Sequence, residues 1–255
     1  MRRVVLLTDF GTADGYAAAI AAVVADGAPD ALVEHASHEI APGDVFGAAL
    51  ALRRYALRYP AGTVHLVVVD PGVGTARRAL AAEVDGRLFV APDNGVLTLV
   101  LREGGSVRAV RLPDEDAPSA TFHGRDVFGP AAARLAAGTM LDELGEPLDR
   151  PVLLAVPEAT RRDEGIEGEV LHADRYGNLI TNIPSSWVDP GQPLDIQVIS
   201  RRWQTQRMSS YAQGEGKDHI FVLPSSCGYL ELTLYKQSAA EKLGAKAGDM
   251  VSLHC

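Results

Sequence analysis

Two cysteines in 255 residues leave little scope for covalent cross-linking. Cys227 and Cys255 form no CxxC pair and no zinc-ligand spacing, so both are expected to be reduced thiols of a cytoplasmic protein. Long apolar runs are also missing. The longest helical apolar stretch, Tyr16 to Ala25, is about half of the roughly 20 residues that a membrane span requires. No signal peptide is expected, because the apolar run after Arg2-Arg3 is cut short by Thr8-Asp9. Cationic clusters are absent as well. A net charge of -9 with no basic run argues against nucleic acid or an anionic membrane as the main partner. It leaves room for a cationic small molecule. There is no internal repeat and no low-complexity tract.

What is present is ordinary globular composition, 47% hydrophobic and 22% charged, in a chain long enough for one large domain or two modest ones. The first half alternates apolar strands with Ala-rich helices. Strands are expected at Val4 to Thr8, Val64 to Val69 and Leu88 to Ala91, and helices at Asp14 to Ala25, Asp44 to Tyr59 and Val127 to Ala137. Such alternation predicts a mostly parallel sheet covered on both faces, an α/β sandwich. From about Glu158 the pattern changes to short strands separated by turn signals, which predicts an antiparallel β-barrel. The expected organisation is an N-terminal α/β domain over 1–158, a charged linker over 159–165 and a C-terminal barrel over 166–255.

Three strands of the first half end in carboxylates: Asp9, Asp70 and Asp93. In open parallel sheets ligands bind outside the carboxyl ends of the strands. A single such aspartate reads equally well as a turn or cap residue. Asp9 opens a Gly-rich loop, Asp9-Phe10-Gly11-Thr12-Ala13-Asp14-Gly15, where backbone can approach a ligand closely. Its carboxylate can accept two hydrogen bonds from a ribose diol, and Asp14 either joins it or caps the next helix. Asp70 opens Asp70-Pro71-Gly72-Val73-Gly74-Thr75-Ala76-Arg77. A dinucleotide fingerprint requires glycine where Arg77 stands, and no phosphate-loop Lys-Ser/Thr follows. This turn instead brings an acid and an arginine to one sheet edge. His123, in Thr121-Phe122-His123-Gly124-Arg125-Asp126, precedes a helix whose free N–H groups favour an anion or an anionic transition state. In the second half Asp174-Arg175-Tyr176-Gly177-Asn178 has two readings. One is a tight hairpin turn with Gly177 and Asn178 at positive φ. The other is an acid, an aromatic face and an amide offered to a ligand.

Taken in order, TDFGTADGY, SHEIAPGDV, VVDPGVGTARRA, APDNG, TFHGRDVFGPAA, DRYGNLITNI and SSCGYLELTL resemble the S-adenosyl-methionine hydrolases, or hydroxide adenosyltransferases, relatives of the fluorinase and chlorinase enzymes. The resemblance spans nearly the whole chain. It implies an N-terminal α/β domain, a C-terminal β-barrel and a homotrimer whose substrate lies between the N-domain of one subunit and the C-domain of the next. It implies Asp70, Arg77 and His123 as the catalytic set and Asp9 as the ribose-binding acid. Asp174 matches the holder of the methionine amino group, Asn178 an adenine contact, Tyr176 the adjoining aromatic wall and Ser226 a contact to the methionine end. Asp14 and Gly124 complete the expected substrate-binding residues.

Halogenases carry a tyrosine where Asp70 stands and lack the histidine at 123. The fluorinase also has a long insertion where Val84-Asp85-Gly86-Arg87 joins two strands directly. Both features imply hydroxide as the nucleophile. The chain departs from the family pattern at His35-Ala36-Ser37-His38, at Cys227 and at Tyr235.

The implied reaction is attack of water or hydroxide on ribose C5′ of S-adenosyl-L-methionine, giving adenosine and L-methionine, with the R-sulfonium epimer a candidate substrate. Neither a cofactor nor a metal is expected. Two other readings remain. A metal-dependent nucleoside hydrolase would also place aspartates after its first strand, but Asp9 and Asp14 make a thin calcium set. A non-catalytic adenosine-binding sensor would have no use for Asp70, Arg77 and His123 together.

Overall fold

In the computed structural model, which describes residues 2–115, 117–163 and 165–254, the chain divides into two compact units, Met1–Leu154 and Ala155–Cys255. Cys255 itself lies outside the described residues, and Cys227 is a free thiol.

The first unit is built on β1 (Arg3–Thr8), β2 (Leu32–Ser37), β3 (Val64–Val68), β4 (Ala79–Val84), β5 (Arg87–Pro92), β6 (Val107–Leu112) and β7 (Glu146–Pro147). They form one sheet in the order β2-β1-β3-β5-β4-β6-β7. β2, β1, β3 and β5 are mutually parallel. β4 runs antiparallel to both β5 and β6, and β7 antiparallel to β6. Successive residues of β1 face opposite sides, and both sides are covered. Leu6 packs with Ile20 of α1 (Tyr16–Gly27) and with Leu135 of the helix Gly129–Ala137. Leu7 packs with Leu52 of α2 (Val45–Tyr55) and with Val100 of α3 (Thr98–Glu103). That two-sided burial is why β1 reads as an apolar run from Val4 to Leu7 and why all of β3, His65 included, is buried. The helix Gly129–Ala137 is α4 in chain order.

Several boundaries differ from expectation for local reasons. α1 begins at Tyr16, and its N-cap is Gly15, at φ 77 and without a side-chain cap bond. Asp14 is therefore exposed and caps nothing. Asp44 does cap α2, accepting Gly47 N–H at 2.8 Å. The expected long helix ends at Tyr55 and tightens into a 3-10 turn over Ala56–Arg58 before Pro60. Only Gly129–Ala137 of the Val127 to Ala137 segment is α-helix; a wider π-turn over Gly124–Phe128 leads into it. β4 and β5 meet through Asp85 (φ 48) and Gly86 (φ 76), the left-handed pair that a two-residue hairpin demands. No helix among the described residues is long and apolar enough to cross a membrane.

The second unit contains β8 (Thr160–Arg162), β9 (Gly165–Ala173), β10 (Leu179–Pro184), β11 (Pro193–Val198), β12 (Arg201–Gln206), β13 (Phe221–Pro224), β14 (Tyr229–Thr233), α5 (Ala239–Leu243) and β15 (Met250–His254). All strand pairs are antiparallel, in the order β12-β11-β15-β9-β10-β14-β13 with β8 on β9. Arg207, just beyond β12, bridges to Val222 of β13 and brings the two edges together, so the sheet is a nearly closed barrel. Within and just after the stretch expected as a linker, Thr160 to Arg162 pair with Gly165 to Glu167.

Candidate active site

The carboxyl ends of β1, β3 and β5, the entry of β4 and the exit of β6 share one edge of the first sheet. Here the loops form a cavity of about 510 Å³, within the usual range for small-molecule sites. Asp9, Asp70, His123 and Gly124 line it.

Arg77 lies behind Asp70 and His123 and ties the two together. Its Nε donates to Asp70 Oδ1 at 3.1 Å and Oδ2 at 3.0 Å, and its Nη2 to Oδ2 at 2.6 Å. The same Nη2 lies 2.8 Å from His123 Nδ1. A guanidinium has no lone pair to offer, so Nδ1 is the acceptor and a neutral His123 ring carries its proton on Nε2. Nη1 donates to Asp114 Oδ2 at 3.2 Å, and the guanidinium stands 5.2 Å from the centre of the Phe128 ring. The Asp70, Arg77 and Asp114 side chains are only 5%, 8% and 12% exposed. An ion pair this dry is held by complementary geometry, and removing one partner leaves buried charge.

The turn that carries Asp70 and Arg77 is closed by Thr75 Oγ1, which donates to the Gly72 carbonyl at 2.7 Å. Gly74, at φ 75, passes so close to Ala120 that an added Cβ would sit 2.7 Å from its carbonyl oxygen. Glycine is required there by both conformation and space. The APDNG segment supports this edge. Asn94 Nδ2 donates to the carbonyl of Val69, the residue before Asp70, at 2.8 Å. Asp93 takes no part in the cavity. It is buried and accepts Arg78 Nε and Val152 N–H, each at 2.7 Å, so it clamps the 150s segment to the sheet.

Asp9 accepts the Gly43 N–H at 2.8 Å through Oδ2, which leaves its other oxygen for a ligand. Phe10, Tyr16 and Phe122 meet edge-to-face at 5.3 to 6.1 Å between ring centres and give the cavity an aromatic wall. Gly124 packs so tightly on α1 that a Cβ would lie 2.7 Å from Ile20. The expected anion-binding helix start takes a different form: the N–H groups of Arg125 and Asp126 both bond the Phe122 carbonyl at 3.1 Å. Asp14 is exposed and does not line the cavity. Beside the site, His38 Nδ1 meets Thr8 Oγ1 at 2.8 Å and its Nε2 meets His35 Nδ1 at 2.7 Å. Burial, then the neighbouring His35, lower the His38 pKa, with Glu39 opposing.

The second unit has its own cavity of about 510 Å³, lined among others by Tyr176, Asn178, Tyr211, Thr233, Tyr235 and Ser238. Tyr176 is 80% exposed. Asn178 is buried, with Nδ2 donating to Asp174 Oδ2 at 3.0 Å and Oδ1 accepting from Thr233 Oγ1 at 2.5 Å. Asp174 Oδ1 closes the turn by accepting the N–H groups of Tyr176 and Asn178 at 2.8 and 2.9 Å. Gly177 has the expected positive φ, and Asn178 does not. Tyr211 donates to the buried Glu231, and burial first, then this bond, raise its pKa. Ser226 sits exposed in the turn between β13 and β14. Asp174 and Ser226 are not among the described residues that line this cavity.

Phe10, Tyr16, Phe122 and Asp114 were not picked out from the sequence. The aromatics on either side of the Gly-rich loop were a visible signal. Asp114 had none. Among the described residues no group of three or more His, Cys, Asp or Glu side chains is placed to hold a metal ion.

Residues 4–145 match the model of the SAM hydroxide adenosyltransferase N-terminal domain, and residues 168–252 that of the C-terminal domain. The (R)-S-adenosyl-L-methionine hydrolase of Thermus thermophilus is 41% identical over 99% of this chain and 100% of its own. A fluorinase of Actinopolyspora mzabensis is more distant, 27% identical over 96% of this chain and 94% of its own. The crystal structure of an uncharacterized conserved protein from Thermotoga maritima superposes with a TM-score of 0.91 at 32% identity, covering 100% of both chains.

Proposed function

Because the chain belongs to the SAM hydroxide adenosyltransferase family, we propose that it hydrolyses S-adenosyl-L-methionine to adenosine and L-methionine, with Asp70, Arg77 and His123 acting on the water. The observation that carries this reading is the buried Asp70–Arg77–His123 cluster at the wall of a cavity that also holds Asp9.

In this reaction a water oxygen bonds to C5′ while the C5′–S bond breaks, and its electron pair neutralises the sulfonium. The thioether leaves uncharged, so sulfur needs no general acid. One water proton must be released. Water has a pKa of about 15.7, so the nucleophile must be oriented and relieved of its proton as it attacks. His123 Nδ1 already accepts from Arg77, and its Nε2–H can therefore only donate to the water oxygen. That leaves Asp70 to take the proton, at a carboxylate held in place by the Arg77 fork. Arg77 works through these two groups. Attack of a developing hydroxide on a cation annihilates charge, which a site shielded from water favours.

Asp9, at the same edge, suits the ribose diol, and the aromatic wall of Phe10, Tyr16 and Phe122 suits an apolar or cationic part of the substrate. The finer assignments are further parts of this proposal: Asp174, Tyr176, Asn178 and Ser226 serve the adenine and methionine ends, and a homotrimer brings together the two half-sites. Its support is the family resemblance and the presence of one cavity in each unit. The internal bonds of Asp174 and Asn178 mean that they would act as much by shaping the Tyr176 turn as by direct contact.

The test is incubation of the protein with each resolved sulfonium epimer, with and without exhaustive chelation, followed by chromatography. Adenosine and methionine in equal amounts, from the R epimer above all and undiminished by EDTA, are expected. Free adenine, or turnover that needs a divalent ion, would move the assignment to a nucleoside hydrolase. Tight adenosine binding without any product would make the chain a sensor.

A further inference from the structure

Arg77 offers five N–H donors in a rigid plane. Its Nε and Nη2 edge lies along Asp70, and Nη2 also reaches His123. With that edge alone fixed, the guanidinium can still rock about Asp70, and rocking changes the distance to His123 Nδ1. Asp114 removes this freedom by accepting from Nη1 on the opposite side, 3.2 Å away. Its side chain is 12% exposed, close to the 8% of Arg77 itself. The placement follows from sheet register. Ala79 of β4 pairs with Leu112 of β6, so the residues two positions outside that pair, Arg77 and Asp114, come together at the sheet edge.

We infer that Asp114 is a positioning residue for the hydrolysis, acting through Arg77 to hold Asp70 and His123 in register. The inference rests on the hydrolase reading. It concerns a hydrogen bond as well as a charge. Asp70, Asp114 and Arg77 carry a formal charge of −1 between them, with Arg111 Nη2 a further 4.0 Å from Asp114 Oδ1, and Asp114→Asn separates the two effects. The amide oxygen can still accept from Nη1 while the charge is gone.

Four variants test it: Asp114→Ala, Asp114→Ser, Asp114→Asn and Asp114→Ala combined with Arg77→Ala. Misplacing a reacting group by about 1 Å can cost about 100-fold in rate. Asp114→Ala and Asp114→Ser, neither of which reaches Nη1, should lower kcat by roughly 10- to 100-fold with KM within about 3-fold of wild type. Asp114→Asn should stay within about 5-fold of wild-type kcat, because it keeps the acceptor. In the Arg77→Ala background, Asp114→Ala should change kcat by less than about 2-fold, since the group it acts through is gone.

Wild-type kcat in a folded Asp114→Ala, a loss confined to KM, or an equal loss with and without Arg77 would each overturn the inference. If Asp114→Ala fails to fold, the Ser and Asn pair decides, and equal losses in those two would count against a positioning hydrogen bond. A wild-type protein that turns over neither epimer would overturn the hydrolase reading and this inference together. Turnover by wild type with unaffected variants would overturn this inference alone.

Discussion

His65 should make this protein acid-labile in a way that one substitution removes. The residue lies on β3 with its side chain fully buried, stacked on Phe89 at 5.0 Å and edge-on to Tyr59. Burial, and after it the charge of Arg87, push its pKa from 6.5 down to about 4, against a weak backbone hydrogen bond at Ala56. The unfolded chain therefore takes up a proton near pH 6.5, while the folded chain refuses it until about pH 4. Above pH 6.5 both states are neutral at this position and stability is unaffected. As pH falls through that window the unfolded state binds more protons, so folding stability is lost.

The loss amounts to about 2 kcal/mol at pH 5 and about 3 kcal/mol at pH 4, a large share of a typical 5–15 kcal/mol. For a chain of this size about 2 kcal/mol corresponds to roughly 4–8 °C in Tm. The assay is urea or thermal denaturation of wild type and His65→Phe at pH 7.5 and pH 5.0. Any packing cost of the larger ring is present at both pH values and cancels, as does the contribution of His38. Between the two pH values His65→Phe should lose about 2 kcal/mol less than wild type. Equal losses in the two proteins would show that His65 is not the group that titrates.

The remaining predictions concern the site. His123→Ala should lower kcat by about 10²–10³-fold, the loss of one preorganised donor, while adenosine affinity, measured by calorimetry, changes by less than about 1 kcal/mol; loss of adenosine binding with normal turnover would make His123 a substrate ligand. Asp9→Ala should do the reverse and weaken the nucleoside first. High chloride or fluoride should yield no 5′-halo-adenosine by chromatography, because the Asp70 carboxylate faces the cavity where a halide would have to sit. Multi-angle light scattering should report three copies per particle, and a fully active monomer would refute the shared-site arrangement.

What the sequence made legible was whatever depended on one segment. β1 and β3 were readable because both their faces are buried. The Val84 to Arg87 segment was read only as a direct join between strands, and the left-handed Asp85-Gly86 pair makes it a two-residue hairpin. Segments that take their state from neighbours were not legible. β4 is Ala79-Leu80-Ala81-Ala82-Glu83-Val84, which has the composition of a helix and becomes a strand because β5 and β6 flank it on both sides. β2 is a half-exposed edge strand without a clean alternation. Asp114 lies 37 residues from Arg77, and nothing local announces that register will join them. In the second unit the Asp174 turn was left with two readings because a carboxylate that closes a turn and one that meets a ligand occupy the same short motif.

The sharpest separation is among three acids that look alike in sequence. Asp9, Asp70 and Asp93 each follow a parallel strand, and an arginine pair decides their fates. Arg77 and Arg78 are consecutive at the entry to β4, and consecutive side chains along an extended segment point opposite ways. Arg77 turns to Asp70, His123 and Asp114. Arg78 turns to Asp93 and to the carbonyl of Arg150. Asp93 is thereby tied on one oxygen by Arg78 and on the other by Val152 N–H, with neither oxygen free for a substrate. Asp70 is tied by the fork of Arg77 yet still borders the cavity. Asp9 meets no arginine and gives only one oxygen to Gly43. Three equivalent sequence positions thus become a buried clamp, a carboxylate held at the cavity by the Arg77 fork and a cavity-lining carboxylate bonded only to backbone. Interchanging the partners would require a one-residue slip of β4, which would also turn the buried Leu80 and Ala81 to the wrong faces of the sheet. The same packing that fixes the register of β4 therefore fixes which aspartate Arg77 holds at the cavity and which Arg78 clamps away from it.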